Sequence, residues 1–173
     1  MVYLILPIGP PGSGKTFLSN LLKEKFNNNF ISISRDVIHN EFRQKHNIKK
    51  SKHFTHQKIL QIIDESRNTN KIIYIDTTNS NQFIRDIYIK HLKPEKHIYI
   101  CFKGDHNIFL NRLENRTHVT FPKCKIKQKE LYYKIYSSIT YPDINKMDIV
   151  ISDNQEKQYD SLFNSLQEYL CKN

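Results

Sequence analysis

Apolar residues in this chain fall into five short runs separated by stretches with helical spacing. The runs are Val2–Ile8, Phe30–Ile33, Lys71–Ile75, His97–Phe102 and Asp148–Ser152. Their Ile, Val, Tyr and Phe content predicts strands buried in a parallel sheet. Between them, Phe17, Leu18, Leu21, Leu22 and Phe26 share one helical face. Ile59, Leu60, Ile62 and Ile63 belong to a second helix, and Ile84, Ile87, Tyr88 and Leu92 to a third. Ile108, Phe109 and Leu113 open a fourth, and Tyr159, Leu162, Phe163, Leu166 and Leu170 form a closing one. This alternation predicts an α/β fold: a three-layer sandwich with a central parallel sheet. In such folds ligands sit beyond the carboxyl ends of the strands. The polar, basic stretch Asn115–Lys129 predicts a mobile segment before a last helix, Gln128–Ile139, so that residues 112–140 form a helical lid. No repeat or long linker interrupts the pattern, and 173 residues suit one domain spanning 1–173.

The first strand runs directly into Gly9-Pro10-Pro11-Gly12-Ser13-Gly14-Lys15-Thr16, which holds three of the chain's four glycines. A sequence so poor in glycine concentrates it where the backbone must turn tightly. The spacing Gly9-x4-Gly14-Lys15-Thr16, between a strand and a helix, is that of the Walker A phosphate loop. Its backbone N–H groups cradle a polyphosphate and the helix behind it presents its positive end. Lys15 is expected on the outer phosphates and the Thr16 hydroxyl on Mg²⁺. The loop reads phosphates rather than a base, so ATP and GTP are both compatible with it.

Other candidates follow later strands. Asp36 comes just after the second run, on a strand expected beside the first, where a carboxylate can orient or deprotonate an acceptor hydroxyl. An N-cap role for Asp36 is compatible with that one. Asp76 ends the run Ile72–Ile75, as in a Walker B segment, and is expected near Mg²⁺ through a water. Thr77, Thr78 and Asn79 extend it with short polar side chains suited to substrate or lid hydrogen bonds, Thr78 and Asn79 being the substrate candidates. Arg112 and Arg116, four apart on a helix starting near Asp105, are placed to reach the phosphates and the charge that develops on the transferring phosphoryl. Lys123, Lys125, Lys127 and Lys129 either extend the same electropositive rim or keep the lid soluble.

Composition narrows the partners. Lys and Arg outnumber Asp and Glu by 27 to 17, a net charge of +10. Such an excess favours a polyanion such as nucleic acid, although the Ile, Lys and Asn bias also suits an A/T-rich genome. The odd, widely spaced Cys101, Cys124 and Cys171 form neither a disulfide framework nor a zinc pattern and imply a reducing, intracellular compartment, cytoplasm or nucleus. No apolar run approaches the ~20 residues of a membrane span, and the apolar start lacks the basic head of a signal peptide. His53 and His56 lack a third ligand and read as surface residues. Asn145-Lys146-Met147-Asp148 matches a guanine-reading string but precedes its strand instead of following one.

In order and spacing, Ile8–Thr16, Ile33–Asp36, Tyr74–Asn79, and Asn111-Arg112 through Arg116-Thr117 resemble the P-loop polynucleotide 5′-hydroxyl kinase family, the phage-type and RNA-repair kinases. The resemblance spans about Val2 to Tyr141. It implies transfer of the γ-phosphoryl of a nucleoside triphosphate to the 5′-OH end of RNA or DNA in nucleic-acid repair, with any ligase or phosphatase on a separate chain. Lys15 and Thr16 would hold phosphates and Mg²⁺, Asp36 would be the general base, and Arg116 the lid arginine over the transferring phosphoryl. The family commonly has an arginine three residues after the base; this chain has His39, with Arg35 and Arg43 on either side as further acceptor contacts. That departure keeps a small-molecule acceptor (nucleoside, nucleotide or metabolite) open as the alternative. A non-catalytic nucleotide-gated nucleic-acid-binding module is the third reading.

Overall fold

A computed structural model describes residues 2–44, 48–69, 71–115, 125–143, 145, 147–152, 159–160, 162–164 and 166–168. Five strands and six α-helices are bounded among them. In chain order these are β1 (Tyr3–Ile8), α1 (Lys15–Phe26), β2 (Phe30–Ser34), α2 (Arg35–Arg43), α3 (Ile48–Glu65), β3 (Ile72–Asp76), α4 (Gln82–Leu92), β4 (Lys96–Phe102), α5 (His106–Glu114), α6 (Lys125–Ser137) and β5 (Ile149–Ile151). Residues 159–160, 162–164 and 166–168 are also helical, where the closing helix is expected.

All strand pairs are parallel and the sheet order is β2-β3-β1-β4-β5. This corrects one expectation: β2 lies beside β3, not beside β1. The physical reason is visible in composition. β3 reads Ile-Ile-Tyr-Ile-Asp, is buried throughout, and takes a central place. β2 reads Phe-Ile-Ser-Ile-Ser, and its mixed burial suits an edge.

One face of the sheet carries Leu4, Leu6, Ile8, Ile73, Ile75 and Cys101, packed with Ile38, Ile59, Ile63 and Tyr88 from α2, α3 and α4. The other carries Ile5, Tyr74, Ile98, Ile100 and Phe102 against Leu18 and Leu22 of α1 and against Leu162 and Leu166. Alternating β1 side chains feed both cores, and each fully buried Leu or Ile contributes about 1.5–3 kcal/mol. A smaller cluster joins Phe109, Leu110 and Leu113 of α5 to Tyr132 of α6. Cys101 is buried, and burial pushes its thiol up to about 11.

The last helix differs from its expected bounds. It starts at Lys125, so residues 125–129, expected to be mobile, are helical instead. Residues 116–124 lie outside the described ones, and with them Arg116, Thr117, Lys123 and Cys124. Among the described residues no helix is long and apolar enough to cross a membrane.

Candidate active site

The loop after β1 is shaped by its glycines in two ways. Gly12 and Gly14 have φ of 80° and 103°, a left-handed region that side chains adopt at a cost. Gly9 and Gly12 also allow close packing. A Cβ on Gly9 would lie 2.7 Å from the Phe102 Cβ, and one on Gly12 would lie 2.2 Å from the Phe109 carbonyl oxygen. The loop is therefore wedged between the end of β4 and α5. Pro10 and Ser13 close a turn within it, and Gly14 is the N-cap of α1. Backbone N–H groups at a helix start, on a path too tight for side chains, fit a polyphosphate.

The Lys15 ammonium lies over the loop. It donates to the Gly9 and Pro10 carbonyls at 2.9 and 2.7 Å. The next residue, Thr16, donates its hydroxyl to Asp76 Oδ2 at 3.0 Å. This pair brings a carboxylate and a hydroxyl oxygen together beside the phosphate loop. That donor set fits Mg²⁺, which prefers hard oxygen ligands and keeps several waters. Tyr74 supports the pair from below, donating its hydroxyl to the Lys15 carbonyl at 2.8 Å. Burial first, then the Asp76 charge and Tyr159, hold the Tyr74 phenol well above its usual range, so it remains a donor.

Asp36 reaches the same sheet edge from β2. Ser34 is in register with Asp76 across β2 and β3, and Asp36 stands two residues beyond it in the first turn of α2. The N-cap position belongs to Ser34, which corrects a capping role for Asp36. Because β3 intervenes, β2 stands about 10 Å from β1 at the usual strand spacing. The exposed Asp36 thus lies on the far side of β3 from the phosphate loop.

Arg35, His39 and Arg43 follow at four-residue spacing along one face of α2. His39 Nδ1 lies 3.2 Å from Thr55 Oγ1, and the Thr55 hydroxyl donates to the Ser51 carbonyl at 2.6 Å. With its only proton directed there, Thr55 accepts from His39, which fixes the Nδ1–H tautomer. Burial and the Arg35, Arg43 and Lys52 charges lower the His39 pKa against the opposing pull of Asp36. A neutral His39 does not replace an arginine's charge.

Thr78 is half-buried in the loop after β3. Asn79 is braced within the fold. It is 2 % exposed, and its amide donates to the Pro7 and Ile75 carbonyls at 2.7 and 3.0 Å. Arg112 is exposed in the last turn of α5, and its charge opposes the burial-driven rise of the Tyr159 pKa. Tyr159 in turn packs on Phe17, one residue after Thr16, at 6.1 Å between ring centroids. That sets Arg112 on the side of the loop where the helical residues from 159 begin. His53 and His56 are exposed, and no group of three metal-ligating side chains occurs among the described residues.

Two residues at the site escape the sequence reading. Tyr74 reads as one more apolar strand residue, although a buried phenol needs a partner for its hydroxyl. Arg85 falls on the inward face of α4 with Tyr88 and Leu92, and a charge at that spacing is the signal for it. A cleft of about 720 Å³ between α4, residues 140–143 and Asp148 is separate from the phosphate loop; Arg85, Asp86, Tyr99, Tyr141 and Asp148 line it.

The family model for the ATPase family associated with various cellular activities (AAA) matches residues 5–80, from within β1 through Ser80. Three solved structures align over nearly the whole chain. A sugar kinase from Janibacter sp. HTCC2649 has a TM-score of 0.63 at 13% identity, covering 96% of this chain and 94% of that one. The chain has the P-loop kinase fold. A gluconokinase from Sinorhizobium meliloti 1021 gives 0.62 at 15% identity, covering 98% and 94%. A Mycobacterium tuberculosis APS kinase in complex with AMPPNP and APS gives 0.63 at 11% identity, covering 95% and 97%. No curated protein sequence matches the chain. Within this P-loop kinase fold, the expected resemblance holds for the sheet, the phosphate loop and its strands. The polynucleotide subtype finds no support among these relatives, whose names are those of small-molecule kinases.

Proposed function

We propose that this chain is a P-loop phosphotransferase that moves the γ-phosphoryl of ATP or GTP to a hydroxyl of a small-molecule acceptor. The observation that carries this reading is the single edge shared by three groups: the Gly9–Thr16 loop, the Thr16–Asp76 pair, and Asp36 beyond Ser34. Loop N–H groups and Lys15 bind and neutralise the phosphates, with the Lys15 ammonium turning from the Gly9 and Pro10 carbonyls to the anion. Thr16 and Asp76 would hold Mg²⁺, which supplies charge neutralisation on the phosphates when bound. Asp36 accepts a hydrogen bond from the acceptor hydroxyl and aligns it for attack, taking its proton as the new P–O bond to the γ-phosphorus forms and the bond from that phosphorus to the β–γ bridging oxygen breaks, releasing ADP or GDP. Arg116 is proposed to add charge over the transferring group, and Arg112 to contact the bound nucleotide.

Support for a small acceptor comes from the sugar kinase, gluconokinase and APS kinase that match in size and fold. The net charge of +10 favours a second reading with a polynucleotide 5′-OH as acceptor. One experiment separates them. The purified chain with Mg²⁺ and γ-labelled ATP or GTP is offered sugars, sugar acids, nucleosides and nucleotides in parallel with 5′-OH RNA and DNA. Label on a small acceptor is the expected result. Label confined to polynucleotide ends overturns the acceptor class, and label on no acceptor overturns the kinase reading.

A further inference from the structure

The segment after β3 does more than connect it to α4. Pro7 has no N–H, so the β1–β3 ladder lacks a main-chain donor just before the phosphate loop. The Asn79 carboxamide takes that place by donating to both the Pro7 and Ile75 carbonyls. It thereby ties the strand end leading into Gly9 to the strand end carrying Asp76. Asn79 reaches this position at φ 47°, a left-handed conformation that asparagine tolerates better than most residues. Its remaining groups are also engaged. Asn79 N–H donates to Thr77 Oγ1 at 3.1 Å, Thr77 Oγ1 returns a bond to Asn79 Oδ1 at 2.9 Å, and Arg85 Nη1 donates to the Asn79 carbonyl at 2.8 Å.

Arg85 is 1 % exposed, its Nη2 donates to Gln82 Oε1, and its Nε has no partner among the described residues. A guanidinium buried against a carbonyl and an amide, with no carboxylate bonded to it among the described residues, is a poor way to stabilise a fold. It is a good way to hold one carbonyl in one place.

We propose that Asn79 and Arg85 are positioning residues that set the Asp76–Thr16 oxygens against the phosphate loop and so determine how strongly Mg²⁺ tightens nucleotide binding. The inference rests on the nucleotide site proposed above. It separates two contributions: loop N–H groups and Lys15 hold phosphates without the metal, whereas Asp76 and Thr16 act with it. Supporting residues around metal ligands typically contribute about 10–100-fold in metal affinity.

The test is calorimetric titration with a non-hydrolysable ATP analogue, in EDTA and in saturating Mg²⁺. It compares the wild type, Asn79→Gly (which keeps the positive φ without strain) and Arg85→Lys (which keeps the charge without the fork). The expected result is affinity in EDTA within about twofold of wild type and loss of about 10–100-fold from the Mg²⁺-dependent gain. An unchanged gain in both variants overturns the proposal, as does an equal fall under both conditions, which would mark a merely structural role. Should Asn79→Gly fail to fold, Arg85→Lys decides by the same criterion. A wild type that binds the analogue in neither condition overturns the nucleotide site itself, and the pair's role with it.

Discussion

Gly12→Ala tests how the phosphate loop is built. At φ 80° an alanine suffers left-handed strain of about 1–2 kcal/mol. Its Cβ would also lie 2.2 Å from the Phe109 carbonyl oxygen, against a normal carbon–oxygen contact of about 3.3–3.6 Å. Backbone must therefore move by about 1 Å, either in the loop or in α5, and overpacking of this kind costs about 1–3 kcal/mol. The sum is about 2–5 kcal/mol, and a chain of this size loses about 2–4 °C of Tm per kcal/mol. A fall of roughly 4–20 °C in a circular-dichroism melt is expected, with nucleotide binding weakened in a fluorescent-nucleotide titration. Gly9→Ala is the internal comparison. Its Cβ meets Phe102 Cβ at 2.7 Å and Ser13 Oγ at 2.9 Å, and positive-φ strain is absent there, so its loss should be smaller. A Gly12→Ala protein that melts within about 1 °C of wild type and keeps its nucleotide affinity would refute the wedge between loop and α5, given the ~4 °C minimum above.

Three further outcomes are expected. Tyr74→Phe removes the hydroxyl that reaches the Lys15 carbonyl and should cost about 0.5–1.5 kcal/mol in urea unfolding, with no change in fold by circular dichroism. Cys101, buried and pushed up to about 11, should resist alkylation at about pH 8 in the native protein and react on unfolding, as read by mass mapping of its peptide. His39 has a folded pKa below its ordinary 6.5, so the stability it contributes is full above that value and is lost as pH falls through the folded pKa. Unfolding curves at about pH 7.5 and 5 should therefore show a larger acid-side loss for wild type than for His39→Gln, and equal losses would count against the burial and cationic neighbours invoked.

Much of the donor half was legible because the determinants are local. Glycines, Lys15 and Thr16 lie within eight consecutive residues, and Asp76 ends an unbroken apolar run. The alternation of strand and helix likewise follows from short-range periodicity. Lateral strand order does not, since nothing in residues 30–34 names the neighbour; only the serines of β2 hinted at an edge. Asn79 shows another limit. A polar residue after a Walker B strand reads equally well as a substrate contact or as a brace, and the choice depends on the Pro7 carbonyl, 72 residues away. His39 shows the same dependence on distant partners. Its charge state is set by Thr55 and Lys52 on α3 as well as by its own helix.

In the proposed function, one sheet edge holds a triphosphate and aligns a hydroxyl against it. The most direct measurement is single-turnover transfer from γ-labelled ATP to an accepted hydroxyl compound, with Asp36→Asn beside wild type and nucleotide affinity measured on both. The account predicts a rate lower by about 10²–10⁴ for Asp36→Asn, with nucleotide affinity within about twofold of wild type. Transfer at the wild-type rate by Asp36→Asn, or no transfer by wild type to any hydroxyl acceptor, would contradict it.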